Sequence, residues 1–352
     1  MGAGFLLAEA VLFFGEPYLP FFHHVYDREL GFRVRPRPGA VNHLGFNDDE
    51  PRPKGPSAFR ILCLGDSFNW MGGRTWNYTV RLRQKLADRY RFTEVVNAGY
   101  PAQGPEQHAI VLERHCQELA PDLVVLGFFV GNDFIDNVPG TKQIVVNDVH
   151  HWVGAEGPLH LFGQPLLPDS RVRAALLQAI QVSLALRRAR REGSSGMMTE
   201  ELFLELERAR LRPWTRAGRA DRHYRLAEGA AWAGLDRMRA LLAKRGIGFV
   251  IAAFPDEIQV SPALLARVRA RFGLDEGDID LDLPQWQLKE YAARYGLPYI
   301  DLLPRFRAAA AEQVLYLERD SHWNPAGNAL AADVLADGLA PLLDGRLERR
   351  RR

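Results

Sequence analysis

The sequence predicts a three-layer α/β fold in which a parallel sheet of five strands lies between two layers of helices. Two observations support this prediction. Short apolar stretches alternate along the chain with stretches of helical periodicity, which is the pattern of strands joined by helices. The strongest apolar stretch, DLVVLGFFV at 122–130, is also continuous, as expected of a strand that is covered on both faces.

The individual elements follow in chain order. Apolar character predicts the strands, and apolar residues that repeat about every four positions predict the helices. The predicted strands cover 59–64, 94–97, 122–130, 249–254 and 298–301. Five helices are predicted. The first carries Tyr78, Leu82, Leu86 and Tyr90, the second begins at Pro105, and the third and fourth lie near 223–245 and 284–295. The last has Asn324 as its N-cap and Pro325 at its first position. Together they describe a flavodoxin-like arrangement.

One long segment does not fit the alternation. Residues 137–221 hold a polar loop and two helical stretches near 170–192 and 199–212, so we interpret them as an inserted cap or subdomain. The first part of the chain is rich in Pro and Gly and predicts an ordered but irregular lead-in. The expected organisation is a lead-in at 1–57, a core at 58–136 and 222–345, and an insertion at 137–221.

The N-terminus allows two interpretations. Residues 2–14 are mostly apolar, but they include Glu9 and lack a basic region before them. A membrane-spanning helix needs about 20 apolar residues, so this stretch is either the end of a truncated membrane anchor or a helix packed on the domain. Membrane association through this segment slightly favours an extracytoplasmic location over a cytoplasmic one. The sequence leaves the oligomeric state open.

Composition excludes several classes of function. The 352 residues include 45 Lys and Arg against 43 Asp and Glu, so no electrostatic argument favours nucleic acid as a partner. Cys63 and Cys116 lie in apolar surroundings and are expected to be free buried thiols. The pairs His23-His24 and His150-His151 have no further ligand at metal-binding spacing, so neither a metal nor a cofactor is expected.

Polar motifs follow the predicted strands, where an open parallel sheet places its reactive groups. The first strand is followed by Gly65-Asp66-Ser67, the second by Asn97-Ala98-Gly99, the third by Gly131-Asn132-Asp133, and the fifth, farther on, by Asp320-Ser321-His322.

These motifs contain the parts of an acyl-transfer site. A serine hydroxyl needs a base to take its proton, and the base needs a carboxylate to fix its tautomer. Ser67 is the predicted nucleophile, His322 the base and Asp320 the orienting carboxylate. The backbone N–H groups of Ser67 and Gly99 and the side-chain amide of Asn132 are the predicted donors of an oxyanion hole.

The same four blocks resemble those of the SGNH/GDSL hydrolases. GDSF at 65–68, NAGY at 97–100, GND at 131–133 and DSHWNPAGN at 320–328 occur in the family's order. The resemblance implies a serine esterase that acts through an acyl-enzyme on short acyl esters, including O-acetyl groups on a glycan. An O-acyltransferase acting on a polysaccharide is the alternative, and a non-catalytic glycan-binding protein of the same fold is a third interpretation.

Two departures from the family pattern qualify the resemblance. Asp320 and His322 are separated by one residue instead of two, a D-x-H-W form that occurs in relatives linked to polysaccharide acetylation. Glu318 is therefore kept as an alternative carboxylate. Gly131 directly precedes Asn132, where the family usually has an intervening residue. Trp70, Tyr100 and Trp323 flank the motifs and are assigned either to the core or to stacking on a sugar ring.

Overall fold

The computed structural model describes residues 2–16, 18–20, 22–136, 140–154, 156–167, 169–192 and 198–351. Its helices are α1 (Gly2–Gly15), α2 (Ser67–Trp70), α3 (Gly73–Trp76), α4 (Tyr78–Arg89), α5 (Pro105–Leu119), α6 (Arg171–Glu192), α7 (Glu200–Leu211), α8 (Arg216–Ala220), α9 (Arg222–Lys244), α10 (Glu257–Val260), α11 (Pro262–Phe272), α12 (Leu283–Tyr295), α13 (Leu303–Ala309) and α14 (Pro325–Arg351). Its strands are β1 (His24–Asp27), β2 (Gly31–Val34), β3 (Phe59–Gly65), β4 (Thr93–Gly99), β5 (Leu123–Phe129), β6 (Thr141–Val146), β7 (Val149–Gly154), β8 (His160–Leu161), β9 (Gln164–Pro165), β10 (Gly248–Phe254), β11 (Tyr299–Asp301), β12 (Tyr316–Leu317) and β13 (Asp320–Trp323).

The central sheet has five parallel strands in the order β11-β10-β5-β3-β4. Counted along the chain, this is the order 2-1-3-4-5 of flavodoxin-like folds, so the predicted parallel sheet is confirmed. The register aligns Gly65 with Gly99 and Phe254 with Phe129. The strands therefore end at one edge, and the segments that follow β3, β4 and β5 all leave the sheet there.

Alternating side chains of the sheet point to opposite faces and pack into two separate hydrophobic cores. In β3, Leu62 and Leu64 belong to the core shared with α5 and α9, whereas Ile61 and Cys63 belong to the core shared with α4 and α14. Because β3 is buried on both faces, its sequence FRILCL shows no polar alternation. The predicted three-layer arrangement is confirmed.

Short antiparallel hairpins were not predicted. The lead-in carries the pair β1-β2. The segment 140–166 carries the pairs β6-β7 and β8-β9, and helices α6 and α7 follow it. Strands β6 and β7 are joined by Asn147 and Asp148, which have positive φ angles of 52° and 60°. Two adjacent residues with positive φ angles are typical of a type I′ turn, whose twist matches the right-handed twist of the two strands in a hairpin. Asn-Asp was the available signal for this hairpin.

Two carboxylates, the buried Asp48 and the half-buried Asp148, connect the lead-in to other parts of the chain. Asp48 in the lead-in accepts hydrogen bonds from the backbone N–H of Asn97 at 2.8 Å and from the Arg83 guanidinium at 2.7 Å. Asp148 accepts hydrogen bonds from the backbone N–H groups of His23 and His24 at 2.8 Å. The lead-in is thereby tied both to strand β4 and to the β6-β7 hairpin.

The N-terminal helix α1 contacts the inserted segment. The Glu9 carboxylate accepts hydrogen bonds from the backbone N–H groups of Arg171 and Val172, both at 3.2 Å, at the start of α6. Within the parts of the chain that the structure describes, every helix is too short or too polar to span a bilayer.

Cys63 and Cys116 are both buried and unpaired, as predicted. The His23-His24 pair contacts the Asp148 carboxylate, with ring nitrogens at 3.2 and 2.9 Å. Across the described ranges, no group of three or more His, Cys, Asp or Glu side chains is arranged to hold a metal ion.

Candidate active site

Ser67, His322 and Asp320 form a continuous chain of hydrogen bonds. The Nε2 atom of His322 lies 2.7 Å from the Ser67 hydroxyl, and its Nδ1 atom lies 2.5 Å from Oδ1 of Asp320. Ser67 begins helix α2 directly after strand β3, and Asp66 caps that helix by accepting from the N–H of Phe68 at 2.9 Å. The serine therefore sits at the carboxyl edge of the sheet on a tight strand-to-helix turn.

The one-residue spacing of Asp320 and His322 has a simple structural reason. Both residues belong to strand β13, in which alternate side chains point to the same face. The carboxylate and the imidazole therefore meet without a bend in the backbone. Glu318, the alternative carboxylate, lies in the turn before β13, and its side chain is 61% exposed. The structure brings Asp320, and not Glu318, to the histidine.

The environment of Asp320 favours its charged form. Desolvation acts to raise the pKa of Asp320, but the hydrogen bond and charge of His322, together with the charge of Arg210, outweigh it. The pKa of Asp320 is therefore lowered from its ordinary value, and the carboxylate is ionised at neutral pH. An ionised acceptor beside Nδ1 directs the lone pair of the neutral imidazole toward Ser67.

Gly99 ends strand β4 beside Gly65, as predicted, but its N–H group is engaged by a side chain. Its N–H donates to Oδ1 of Asn97 at 3.1 Å, inside a buried amide network in which Asn69 also donates to Asn97 at 3.1 Å. A Cβ atom at position 99 would overlap the side chain of Asn69. Glycine is needed here because Asn69 packs against the backbone.

Asn132 and Gly104 line one cavity of about 610 Å³. The Asn132 side-chain amide donates to Oδ2 of Asp136 at 2.8 Å, while its own buried oxygen has no hydrogen-bond partner among the residues that the structure describes. Gly104 is the N-cap of α5, so the first N–H groups of that helix lie at the same place. The N–H of Gly104 itself reaches Gln107 over 3.3 Å. Gly104 was not predicted, although its place directly before Pro105 marked a helix N-terminus.

The aromatic residues beside the motifs belong mainly to the core. Trp323 is 1% exposed and packs against Phe68 and Phe254 at centroid distances of 4.7 and 4.8 Å. Tyr100 is also buried and donates to the carbonyl of Leu44. Burial excludes both residues from stacking on a sugar ring.

The inserted segment supplies side chains that contact the Asp-x-His block, which sequence reasoning missed. Glu207 and Arg210 on α7 lie one helical turn apart, and both bond to the Ser321 hydroxyl between Asp320 and His322. Ser321 donates to Glu207 at 3.0 Å, and the Arg210 guanidinium lies 5.2 Å above the ring of Phe129. No local signal links residues that are more than 110 positions apart, so the sequence alone could not reveal this contact.

Buried carboxyl groups surround Arg210. Burial, and then the charge of Asp66, raises the pKa of Asp136 to about 7. Burial, and then the charge of Asp256, raises the pKa of Glu257 to about 8. Burial likewise raises the pKa values of four further carboxyl groups, those of Asp66, Asp133, Glu207 and Asp256. A single guanidinium cannot neutralise all of these groups, so part of the cluster is protonated at neutral pH.

Fold and site together define an α/β protein with a Ser–His–Asp arrangement at the carboxyl edge of its sheet. Comparison with known families matches residues 217–350 to the SGNH hydrolase-like domain, acetyltransferase AlgX. This range contains Asp320 and His322. The resemblance of the chain to the SGNH/GDSL hydrolases is thereby confirmed. No curated protein matches the sequence at a significant level.

Several solved structures align with this chain at low identity. The α/β hydrolase LAE5 from the metagenome of Lake Arreo is 15% identical, with 82% of this chain and 98% of that chain covered and a TM-score of 0.41. A catalytic mutant of the acetylxylan esterase Axe2 from Geobacillus stearothermophilus is 13% identical, with coverages of 81% and 96% and a TM-score of 0.42. A GDSL-like lipase from Bacteroides thetaiotaomicron is 10% identical, with coverages of 84% and 92% and a TM-score of 0.38.

Proposed function

We propose that the protein is a serine esterase that cleaves short acyl esters, including O-acetyl groups on a glycan. The observation that carries this proposal is the unbroken hydrogen-bond chain from Asp320 through His322 to Ser67, at 2.5 and 2.7 Å. A hydroxyl within hydrogen-bond reach of an imidazole that is itself held by a carboxylate is the arrangement that activates serine.

In the proposed reaction, Oγ of Ser67 attacks the ester carbonyl carbon while Nε2 of His322 takes the hydroxyl proton. Collapse of the tetrahedral intermediate breaks the bond to the alcohol, which leaves with the proton from Nε2. Water then attacks the acyl-enzyme, again giving its proton to Nε2. The carboxylic acid leaves as Oγ regains that proton. Asp320 holds Nδ1–H throughout and stabilises the imidazolium.

The negative oxygen of the intermediate needs donors that are already in place. We assign this role to the backbone N–H of Ser67 and to the side-chain amide of Asn132, a residue that lines the cavity with Gly104. The N-terminus of α5 adds positive potential at the same place. The backbone N–H of Gly99, the third predicted donor, is bonded to Asn97, so the N-terminus of α5 at Gly104 is the second candidate for this position.

Labelling with a fluorophosphonate probe tests the nucleophile. The probe should react with Ser67 alone, because the hydroxyl of Ser67 contacts the Nε2 atom of His322. Ser67→Ala should lose the label and the hydrolysis of p-nitrophenyl acetate, and Ser57→Ala, at an exposed serine, should lose neither. A label on another residue, or hydrolysis that survives in Ser67→Ala, would refute the assignment.

An O-acyltransferase is the second candidate, because the matched family description names an acetyltransferase. The acyl-enzyme would be the same, and a sugar hydroxyl would take the place of water. Incubation with an acyl donor and an oligosaccharide acceptor separates the two functions: acylated oligosaccharide forms in one case and free acid in the other. A glycan-binding protein without catalysis would give neither product and no probe label.

A further inference from the structure

The exposed apolar side chains of the protein are concentrated in three elements. Helix α1, the segment 159–166 with the β8-β9 hairpin, and helix α6 make up 44 of the 352 residues. Among the described residues, these elements hold 13 of the 21 large apolar side chains that are exposed. The 13 side chains are those of Phe5, Leu6, Leu7, Val11, Phe14, Leu159, Leu161, Phe162, Leu166, Leu176, Leu177, Ile180 and Leu184. Single exposed apolar residues are normal on a protein surface, whereas a contiguous group of this size indicates an interaction site.

The three elements contact one another. The ring of Phe14 on α1 lies 6.0 Å from the ring of Phe162, which is 80% exposed at the turn of the hairpin. The Glu9 carboxylate of α1 accepts hydrogen bonds from backbone N–H groups at the start of α6. The Arg171 guanidinium of α6 donates to the carbonyl of Pro165 in the hairpin at 2.6 Å. Both helices and the hairpin are therefore adjacent on one part of the surface.

Helices α1 and α6 face the opposite way from ordinary surface helices. A surface helix normally turns its apolar stripe to the core and its polar residues to solvent. On α6, Leu176, Ile180 and Leu184 recur every four residues and are 50–60% exposed, whereas the Gln178 amide donates to the carbonyl of Asp148 in the β6-β7 turn at 3.2 Å. On α1, the only charged residue is likewise bonded to α6, while the two leucines before it are 66–69% exposed. Both helices thus present apolar side chains to solvent.

The charge of α6 complements an anionic partner. Six of its 22 residues are arginine, and its only acid is Glu192 at its last position. Arg173 and Arg187 are exposed, and Arg173 has the Asp169 carboxylate as its neighbour at 3.3 Å. Guanidinium groups bond well to phosphate oxygens, and the aliphatic side chains beside them are stabilised by leaving water. A bilayer with anionic headgroups offers phosphates and an apolar phase in adjacent layers.

A second copy of the chain fits this surface less well. Pairing two copies through α6 would bring one arginine-rich helix against another, and like charges at short range oppose association. An anionic bilayer instead attracts arginines that lie near its surface. Helices that lie in the plane of a bilayer combine arginine with leucine and phenylalanine, which is the composition of α1 and α6 taken together.

We propose that the exposed apolar side chains of α1, the β8-β9 hairpin and α6 form one apolar face with which the protein lies on the surface of an anionic bilayer. Binding of this kind needs no spanning helix, because the apolar side chains enter only the boundary between headgroups and acyl chains. The membrane association predicted for the N-terminal segment thereby extends to two further elements. The proposal does not depend on the reaction at Ser67.

Co-sedimentation of the full chain with lipid vesicles tests the proposal. One set of vesicles is pure phosphatidylcholine, and the other also contains phosphatidylglycerol as the anionic lipid. The α6 variant combines Leu176→Gln, Ile180→Gln and Leu184→Gln. The matched control changes three apolar residues outside the apolar face, which are 47–75% exposed, and combines Leu202→Gln, Leu226→Gln and Val314→Gln.

The protein should sediment with the anionic vesicles and bind the neutral ones at least about tenfold more weakly, and added salt should weaken binding because it screens the arginines. The α6 variant should bind the anionic vesicles at least about tenfold more weakly than the wild type, since three aliphatic side chains no longer leave water. The control variant should bind like the wild type. All of these proteins should keep the same melting temperature, because the substituted side chains are exposed.

Phe162→Asn tests the hairpin separately. Asparagine tolerates the φ angle of 50° at this position, so the turn should persist while the exposed ring is lost. This variant should bind the anionic vesicles about threefold more weakly or less tightly still, the size of one lost apolar side chain at the boundary.

Absence of sedimentation with anionic vesicles, equal binding to both kinds of vesicle, or equal losses in the α6 variant and its control would overturn the proposal. Analytical ultracentrifugation without lipid supplies a further check. A dimer that the α6 variant dissociates would also overturn the proposal, because the apolar face would then bind a second copy. Failure of the esterase proposal would appear elsewhere, as absence of probe labelling and of p-nitrophenyl acetate hydrolysis.

Discussion

At the scale of single residues, the pairing of Asp320 with His322 depends on strand geometry. Alternate positions of β13 share a face, so the carboxylate meets Nδ1 while Ser321 between them projects to the other side. The turn before the strand contains Arg319, a non-glycine residue with a φ angle of 49°. Such a backbone conformation is sparsely populated and needs support from its surroundings.

Removing the charge of Asp320 should impair catalysis strongly. Asp320→Asn should lower kcat by up to about 10⁴-fold, because an amide no longer fixes the imidazole tautomer that accepts the Ser67 proton. Glu318→Gln is the matched control and should leave kcat unchanged, since the Glu318 side chain is largely exposed and the two ring nitrogens of His322 are engaged by Asp320 and Ser67. Steady-state kinetics on p-nitrophenyl acetate measure both values. If Glu318→Gln lowers kcat strongly and Asp320→Asn lowers it only slightly, Glu318 and not Asp320 is the carboxylate that orients His322.

The sequence predicts the Ser–His–Asp residues better than it predicts the hydrogen-bond donors of the oxyanion hole. Ser67, Asp320 and His322 stand in motifs whose residue types, taken together and in this order, are characteristic of acyl-transfer chemistry. Glycine is ambiguous, because close packing and open access to the backbone both select it. Gly99 proved to be packed against Asn69, and that contact depends on a side-chain network that no local pattern reveals.

At the scale of elements, helix α7 connects the inserted segment to the candidate site. Its N-terminus is capped by Thr199, which accepts from the N–H of Leu202 at 3.3 Å. Glu207 is fully buried at the other end of the helix, and Arg210, one turn later, is 13% exposed. Both hold Ser321 from the side of β13 that faces away from Asp320 and His322, so α7 acts as a brace for that strand.

Loss of this brace should lower the rate of the reaction more than the affinity for substrate. Ser321→Ala removes both hydrogen bonds while leaving Arg210 beside the acids it neutralises, so the protein should still fold. We expect kcat to fall by up to about tenfold, the size of one or two net hydrogen bonds, with KM little changed. Steady-state kinetics across pH measure both, and the pH profile of kcat should change with them because the position of His322 is affected.

Arginine variants of α7 provide the matched control. Arg208 lies on the same helix, but it is 49% exposed and pairs with Glu205. Arg208→Met should leave kcat intact, whereas Arg210→Met should lower both kcat and the melting temperature, because it leaves buried carboxylates without their cation. If Ser321→Ala lowers only the melting temperature and leaves kcat and its pH profile unchanged, Ser321 stabilises the fold without positioning the histidine.

At the scale of the whole molecule, the central sheet was predictable because strands that are buried on both faces have continuously apolar sequences. Strands such as FRILCL and LVVLGFF are almost continuously apolar, and all seven residues of β3 and of β5 are buried. The hairpins of the lead-in and insertion are half exposed and short, so their sequences lack a continuous apolar stretch. The contacts of α7 with β13 and of Asp48 with Asn97 join distant parts of the chain, and only the folded structure brings them together.

The buried acids make the stability of the whole molecule depend on pH. Burial, and then the charge of Asp66, raises the pKa of Asp136 to about 7, while an unfolded aspartate titrates near 3.9. Between about pH 4 and about pH 7 the folded state therefore keeps a proton on Asp136 that the unfolded state has lost. Its contribution to the free energy of unfolding must fall as pH rises through this window and level off above it.

Asp136→Asn isolates this contribution, because asparagine keeps the size of the side chain and can still accept from Asn132, but does not titrate. The variant should gain stability relative to the wild type as pH rises from about 4 to about 7, and the difference should then stay constant. Urea unfolding across this range measures it. Asp88→Asn, at an exposed aspartate, is the control and should show no such trend. A constant difference at every pH would mean that Asp136 is ionised in the folded protein throughout, with Arg210 compensating its burial.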